Sequence, residues 1–430
     1  MEIKVIGAGL AGVEAAYQIA QRGQNVTLYE MRPKVFTPAH KTPYFSELVC
    51  SNSLKSRELT NAHGLLKEEL RRLGSIIVRA ADRTSIPGGK ALVVDRNMFS
   101  KVITKEIEAC TLINVVREEI KDIPPGIVVI ATGPLTSDDL TERIREIAGT
   151  QNLYFFDAIS PIVDGYTIDV EKAFYGSRYM DGTKDYLNCP LTEEEYDRFY
   201  EELIKAERVS LRKFDETPYF EGCLPIEVMA ERGKQTLLYG PMKPVGLIDK
   251  KDKEPHAVIQ LRREDESGSM YNMVGFQTQL KYGEQERIFR LIPALRNAVF
   301  LRYGSVHRNT YINSPSVLNN NLKLTNNNRI FFAGQITGVE GYVESTAMGL
   351  VAGISAYLSL RGKTFIPPPE DTCVGALLHY ITTKKKDFQP MNINFGLLKD
   401  YRKKDKKRII NNALSSIEKW KRTIEAGFRG

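Results

Sequence analysis

The residues with the most definite chemistry stand at the start of the chain. Ile3, Val5 and Ile6 make a short apolar run, and Gly7-Ala8-Gly9-Leu10-Ala11-Gly12 follows it without a spacer. Small apolar residues then recur at helical spacing (Ala11, Ala15, Ala16, Ile19, Ala20) as far as Gly23, and a second apolar run, Val26-Thr27-Leu28-Tyr29, ends in Glu30. A glycine turn that opens a helix presents unpaired backbone N–H groups at the positive end of the helix dipole, where a pyrophosphate binds. Gly7 makes the tight turn, Gly9 lets the backbone approach the phosphates, and Gly12 lets helix and strand pack closely. Glu30 stands where a carboxylate accepts from a ribose hydroxyl, with Met31 and Arg32 beside it. Without this context the glycines would only make a turn of an ordinary α/β domain. With strand, helix, second strand and acid at their offsets, they predict a dinucleotide site.

Two later turns repeat the theme. The wholly apolar residues 126–130 read as a central parallel strand buried on both faces, and they run into Ala131-Thr132-Gly133. Residues 328–332 read as a late strand leading to a turn that carries Gly334, Gln335, Gly341 and Tyr342. The helix expected over 343–360 is rich in small residues (Ala347, Gly349, Ala352, Gly353, Ala356). In FAD flavoproteins such a strand, turn and helix close over the ribityl phosphate and the pyrimidine edge of the flavin. Those proteins commonly have Asp after the glycine. Here it is Gln335, so a neutral amide must do the hydrogen bonding. Three such turns in this order span one extended FAD and favour it over a free nicotinamide cofactor.

Other reactive residues are scattered. Cys50, Cys110, Cys189, Cys223 and Cys373 are odd in number and include no CxxC, which argues against a disulfide framework and a zinc site and for a reducing cytoplasm. Lone cysteines are ordinarily small buried hydrophobes, and Cys110, Cys189 and Cys373 are read so. Glu340 and Glu344 either donate protons near the flavin or cap the helix that follows. His307 either stacks on or protonates a ring, or is a satisfied structural histidine. Lys243, Arg262 and Lys281 lie among Tyr and Phe residues able to stack on bases or folate. Residues 381–430 hold 14 Lys and Arg against 5 Asp and Glu, a charge of +9, so the other 380 residues are near −2. That run is either a solvated face or a patch for a phosphate backbone.

The elements that must position these groups are legible in outline. The length of 430 residues suits two domains. Residues 65–73 and 96–110 read as helices and 91–94 as a strand, while 31–56 are irregular, a length of loop that tends to be functional. Residues 151–300 break the βαβ rhythm, with a charged helix over 192–208 and strands near 236–239 and 257–261. The expected class is therefore α/β: an FAD-binding Rossmann-like domain of the glutathione-reductase type (1–165 and 300–430) with an inserted α+β substrate or RNA domain (166–299). No apolar run reaches the roughly 18 residues of a membrane span. No signal or transit peptide is expected before the first strand.

With these motifs set out, the chain resembles the folate- and FAD-dependent tRNA (uracil-5-)-methyltransferase family, TrmFO, among the GidA-related flavoproteins. The resemblance rests on residues 7–12 with 30–33, ELVCSNSL (47–54), LLKEE (65–69), EGCLPIE (221–227), YGPMKPVGL (239–247) and AGQITGVEGY (333–342), and runs from residue 1 to about 360. It implies methylation of the T-loop uridine of tRNA at C5, with 5,10-methylenetetrahydrofolate as carbon donor and NAD(P)H as reductant. A sister activity on large-subunit ribosomal RNA uses the same chemistry. By motif, Cys223 and Cys50 match the family's reactive pair. Uracil C5 becomes nucleophilic only when a thiolate adds at C6, and a base must later remove the C5 proton. Cys223 is taken as the C6 nucleophile and Cys50 as the group beside the flavin, base or transient methylene acceptor; the reverse assignment stays open.

Three other readings compete. The wobble-uridine enzymes share the fingerprint and folate chemistry but carry a C-terminal helical domain. A plain FAD/NAD(P)H disulfide reductase would need a CxxC beside the flavin. A flavin-containing RNA-binding protein without turnover would not need the two motif cysteines.

Overall fold

A five-stranded, all-parallel sheet forms the frame, in the order Ile330–Phe332, Ile127–Ile130, Ile3–Ile6, Val26–Tyr29 and Ile113–Val116. The computed structural model describes residues 2–149, 153–178, 180, 183–210, 224–250, 252–386, 388–399 and 405–429. The strand Ile127–Ile130 is buried at all four positions, as its apolar run requires of an interior parallel strand. The first strand has neighbours on both sides from later in the chain, so the sheet reverses its winding there. A crevice opens at the carboxyl ends of strands at such a point. This is the expected FAD-binding Rossmann-like α/β class.

Two helices pack across the sheet with unusually close backbones. A Cβ placed on Gly349 of the helix Tyr342–Leu360 would lie 2.3 Å from the Ala11 carbonyl oxygen, and one on Gly353 would lie 2.6 Å from that of Ala15. The small residues of this helix are thus the means by which it reaches the helix Leu10–Ala20. By length and mean composition Tyr342–Leu360 would pass for a membrane span, although Glu344, Ser345, Thr346 and Ser355 interrupt its apolar run. It is buried over 89% of that window inside the fold.

One apolar core gathers residues from Ile3 to Ala148 and again from Tyr311 to Ile424. A second gathers residues from Val163 to Ala298, beneath an antiparallel sheet ordered Phe174–Gly176, Tyr186–Leu191, Ala257–Arg263, Met270–Met273, Ile162–Asp164 and Phe300–Arg302. The chain leaves the first region through Leu153–Ile159 and returns through Ser305–Tyr311, and these two strands pair antiparallel in register Ser305 to Ile159.

Several elements depart from the sequence reading. The segment around 236–239 is the helix Lys234–Tyr239, not a strand: its apolar run is too short for periodicity to decide, and only Leu237 is buried. The helix expected from 65 begins at Ala62, where Asn61 accepts from the His63 N–H. Helices Ile76–Arg83 and Asp138–Ala148 and the strand Ser53–Ser56 were not foreseen. The basic tail includes the helix Lys406–Arg429, whose Ile409, Ile410, Ala413, Ile417, Trp420 and Ile424 enter the first core while the basic run occupies its start.

Candidate active site

The glycine turn after the first strand is built as the residue types require. Gly7 has φ +96°, and a Cβ there would stand 2.7 Å from the Ala131 carbonyl oxygen; on Gly12 it would stand 1.8 Å from that of Gly7. At Gly9 nothing lies within 4 Å of the Cβ position, because Gly9 faces an open cleft of about 1060 Å³. The helix Leu10–Ala20 begins there with no side-chain cap, so its first N–H groups are left for a ligand. The cleft is lined by Gly7, Gly9, Leu10, Ala11, Glu30, Met31, Arg32, Ala131, Thr132, Gly133, Gly334, Gln335 and Tyr342, which brings together nearly all the residues expected at a dinucleotide. Ala8 and Gly12 lie behind it, and Gly341 lines the adjoining cleft.

Glu30 is already engaged. Its carboxylate accepts from the Ala8 N–H (3.0 Å) and from the Arg32 N–H (3.0 Å), Nε (2.8 Å) and Nη2 (3.2 Å), the full complement of a carboxylate. In this arrangement Glu30 orders the glycine turn and Arg32. Burial opposes its charge, but the hydrogen bonds and charge of Arg32 outweigh that and hold it below the usual range. Arg32 continues to Glu47 Oε2 at 3.0 Å, and burial with the Arg32 charge pushes nearby His40 down to about 4. The Gln335 amide donates from Nε2 to Glu340 Oε2 at 2.5 Å.

A second cleft of about 1430 Å³ adjoins the first and shares Val49, Pro134, Leu135, Gln335 and Tyr342 with it. Cys50 stands at this junction, and four other residues hold its loop. The Tyr342 phenol lies 3.0 Å from Cys50 Sγ, 3.0 Å from the Cys50 N and 3.3 Å from the Ser51 N. Arg96 donates to the Leu48 carbonyl and binds buried Glu264, while Arg302 donates to the Val49 carbonyl at 3.0 Å. Arg262 donates to Ser51 Oγ (2.8 Å) and to Asn52 Oδ1 (2.9 Å). Asn52 is wholly buried and donates in turn to the Val94 and Arg263 carbonyls. Residues 48–52, within the stretch expected to be irregular, are therefore a fixed loop leading into the strand Ser53–Ser56, held partly by arginines of the second sheet.

Charge in this cleft is mixed. Lys55, Arg262 and His307 line it together with Asp157, Glu340 and Glu344. Burial and the Asp157 charge push the Cys50 thiol up to about 11, against the Tyr342 hydrogen bond and the Arg96 charge. The same two causes push Glu340 up to about 8. His307 is held below its ordinary range by burial and by Arg302 and Lys41. Glu344 does not cap its helix; its Oε1 accepts from the Ile393 N–H at 3.1 Å.

Of the remaining expectations, Cys223 lies outside the described residues. Cys189 and Cys373 are fully buried and Cys110 is half-buried, as small hydrophobes would be. Lys281 is exposed and paired with Glu207, away from the cleft linings. Arg96, Arg302, Asn52 and Asp157 were missed. Isolated charged residues on strands and helix starts have no local pattern, and only the fold brings them to Cys50.

Residues 2–364 match the family described as Glucose inhibited division protein A, the class of dinucleotide-fold protein that this parallel sheet and paired cleft define. A solved structure from that class, Aquifex aeolicus GidA in its form II crystal, superimposes with a TM-score of 0.73 at 20% identity, covering 98% of this chain and 73% of that one, which shows the shared fold. Among curated proteins, the methylenetetrahydrofolate--tRNA-(uracil-5-)-methyltransferase TrmFO of Syntrophus aciditrophicus is 55% identical over 99% of this chain and 98% of its own. Its counterpart from Aquifex aeolicus is 56% identical over 97% and 96%. The chain belongs to the TrmFO family.

Proposed function

We propose that this protein methylates C5 of a uridine in tRNA, that of the T-loop, taking the carbon from 5,10-methylenetetrahydrofolate with NAD(P)H as reductant. The observation that carries the reading is Cys50 at the junction of two clefts, one with the glycine turns of a dinucleotide site and one with room for further reactants. The shared name of relatives at 55% and 56% identity over nearly the whole chain supports the substrate and the donor.

The residues present fit FAD. Gly9 leaves space where a side chain would project, and the uncapped helix start at Leu10 and Ala11 faces the same cleft as Thr132, Gly133 and Gln335. Gly7 to Ala11 would hold the pyrophosphate, with Gln335, Gly341 and Tyr342 at the flavin end. FAD bound there supplies a hydride and a carrier for the one-carbon unit. The Cys223 thiolate adds to uracil C6, the C5=C6 pair shifts into a C4=C5 bond and the C4=O pair moves onto oxygen; the enolate so formed is nucleophilic at C5. Once C5 has taken the carbon, Cys50, ionised to the thiolate for this step, removes the C5 proton; the C–H electron pair re-forms C5=C6 as the Cys223 thiolate leaves. Three residues beyond Cys223, the Ile226 N–H donates to the Gln277 carbonyl at 2.7 Å, and Gln277 lines the second cleft, which supports placing this chemistry there.

Asn392 also lines that cleft, between Lys384, Lys385 and Lys386 before it and the basic start of Lys406–Arg429 after it. The +9 charge of residues 381–430 supports the phosphate-binding reading of the tail over a merely solvated face. The two cores support an inserted unit, but the strands Ile162–Asp164 and Phe300–Arg302 belong to its sheet, so its bounds extend beyond the expected 166–299 on both sides. The free thiols of Cys50, Cys110, Cys189 and Cys373 support a reducing, cytoplasmic setting. The test incubates unmodified tRNA and large-subunit ribosomal RNA transcripts with labelled methylenetetrahydrofolate, NAD(P)H and protein. Label in 5-methyluridine of tRNA is expected; label confined to ribosomal RNA, or none, overturns the reading.

A further inference from the structure

Tyr342 opens the long helix, yet its phenol is spent entirely on the Cys50 loop. The Cys50 and Ser51 backbone nitrogens, at 3.0 and 3.3 Å, can only donate, so they occupy the two lone pairs of the phenol oxygen. What the phenol has left is its own hydrogen, and Cys50 Sγ lies 3.0 Å away to receive it. We propose that Tyr342 is a positioning residue for Cys50: it delivers its only hydrogen to Sγ, which turns the thiol's own hydrogen toward the cleft and stabilises the sulfur once that hydrogen has left. The inference rests on the reading above, in which Cys50 works on a bound reactant.

The groups around the sulfur pull in opposite senses. Arg96 from the helix Arg96–Glu108 favours the thiolate, while burial, Asp157 from the strand Leu153–Ile159 and Glu340 from the preceding turn oppose it. Arg302, from the edge of the second sheet, feels the Cys50 charge as well. The opposing group wins, so the resting sulfur carries its proton at neutral pH. Tyr342 is itself held well above its ordinary value by burial and by Cys50, so it remains a donor throughout that range. A neutral donor of this kind follows the sulfur through ionisation without adding a charge to the cleft.

The test reads the sulfur directly. FAD-loaded protein is alkylated with iodoacetamide over a pH series, and the Cys50 peptide is quantified by mass spectrometry. Below the thiol pKa the rate follows the thiolate fraction, so loss of one hydrogen bond to the charged sulfur, about one pK unit, slows alkylation roughly tenfold at a given pH. Tyr342→Phe should show that slowing, with the profile displaced to higher pH. In a second arm 3-fluorotyrosine replaces Tyr342; its more acidic phenol should displace the profile to lower pH, and this arm decides the matter if Tyr342→Phe does not fold. An unmoved profile in either folded protein overturns the proposal. Full methyl transfer by Cys50→Ala would instead overturn the role given to Cys50, and the alkylation profiles would still report on Tyr342.

Discussion

Gly9 gives the sharpest separation between folding and cofactor binding. Its φ of −74° and ψ of −170° are open to any residue, and a Cβ there meets nothing within 4 Å. Gly9→Ala should therefore leave the fold intact and even stabilise it by about 0.4–1 kcal/mol, by restricting the unfolded chain. The added methyl would stand in the cleft, between the ligand and the uncapped start of Leu10–Ala20. Displacing an anionic pyrophosphate from two such N–H groups, each worth about 1.5–3 kcal/mol to a charged acceptor, costs about 3 kcal/mol or more of FAD affinity. That is roughly a hundredfold weaker binding. The contrast is Gly12→Ala, whose Cβ would lie 1.8 Å from the Gly7 carbonyl oxygen and which should fail in the fold itself. Thermal unfolding of the cofactor-free proteins and titration of FAD by flavin fluorescence measure the two effects separately. Gly9→Ala protein that binds FAD as tightly as the parent would refute the reasoning.

Other expectations follow from buried polar groups and close packing. Burial raises Glu14 to about 7, so the folded protein keeps a proton that the unfolded chain loses near 4.5. Stability from this group is full below about pH 4.5 and falls by about 3 kcal/mol as pH rises to about 7. Urea unfolding of Glu14→Gln at several pH values should show that part of the slope gone. Asn52→Ala strands two carbonyls and the Arg262 Nε, so it should lose about 2–4 kcal/mol in urea unfolding; a change under 1 kcal/mol would contradict the loop anchoring. Gly349→Ala forces a methyl to 2.3 Å from the Ala11 oxygen and should cost about 1–3 kcal/mol by overpacking; an unchanged melting temperature would mean the helices separate freely.

Much of the nucleotide-binding frame is written locally. The run Ile3 to Gly12, the apolar strand before Ala131 and the small-residue face of Tyr342–Leu360 each follow from a spacing or a steric need confined to a few residues, and such needs can be read without the fold. The arginine cage of Cys50 is different. Arg96, Arg262 and Arg302 come from separate parts of the chain and converge on one peptide segment, so nothing in their immediate sequence announces them. Short apolar runs such as 236–239 fail for a related reason: burial of one leucine decides between helix and strand, and burial is a tertiary fact. Glu30 shows the same limit, since its place was legible but its bonds to Arg32 depended on how the following turn folds back.

That two sulfur atoms, those of Cys223 and Cys50, drive carbon transfer from folate to uridine is the proposal made above. It is tested most directly by single-turnover transfer of labelled carbon from methylenetetrahydrofolate to a tRNA transcript, with the parent, Cys223→Ala and Cys50→Ala proteins matched for flavin absorbance. The parent should form 5-methyluridine, and each variant should form it at least about a thousandfold more slowly, on the order expected when a covalent nucleophile or its proton acceptor is removed. Full-rate methylation by either variant, with flavin bound, would contradict it.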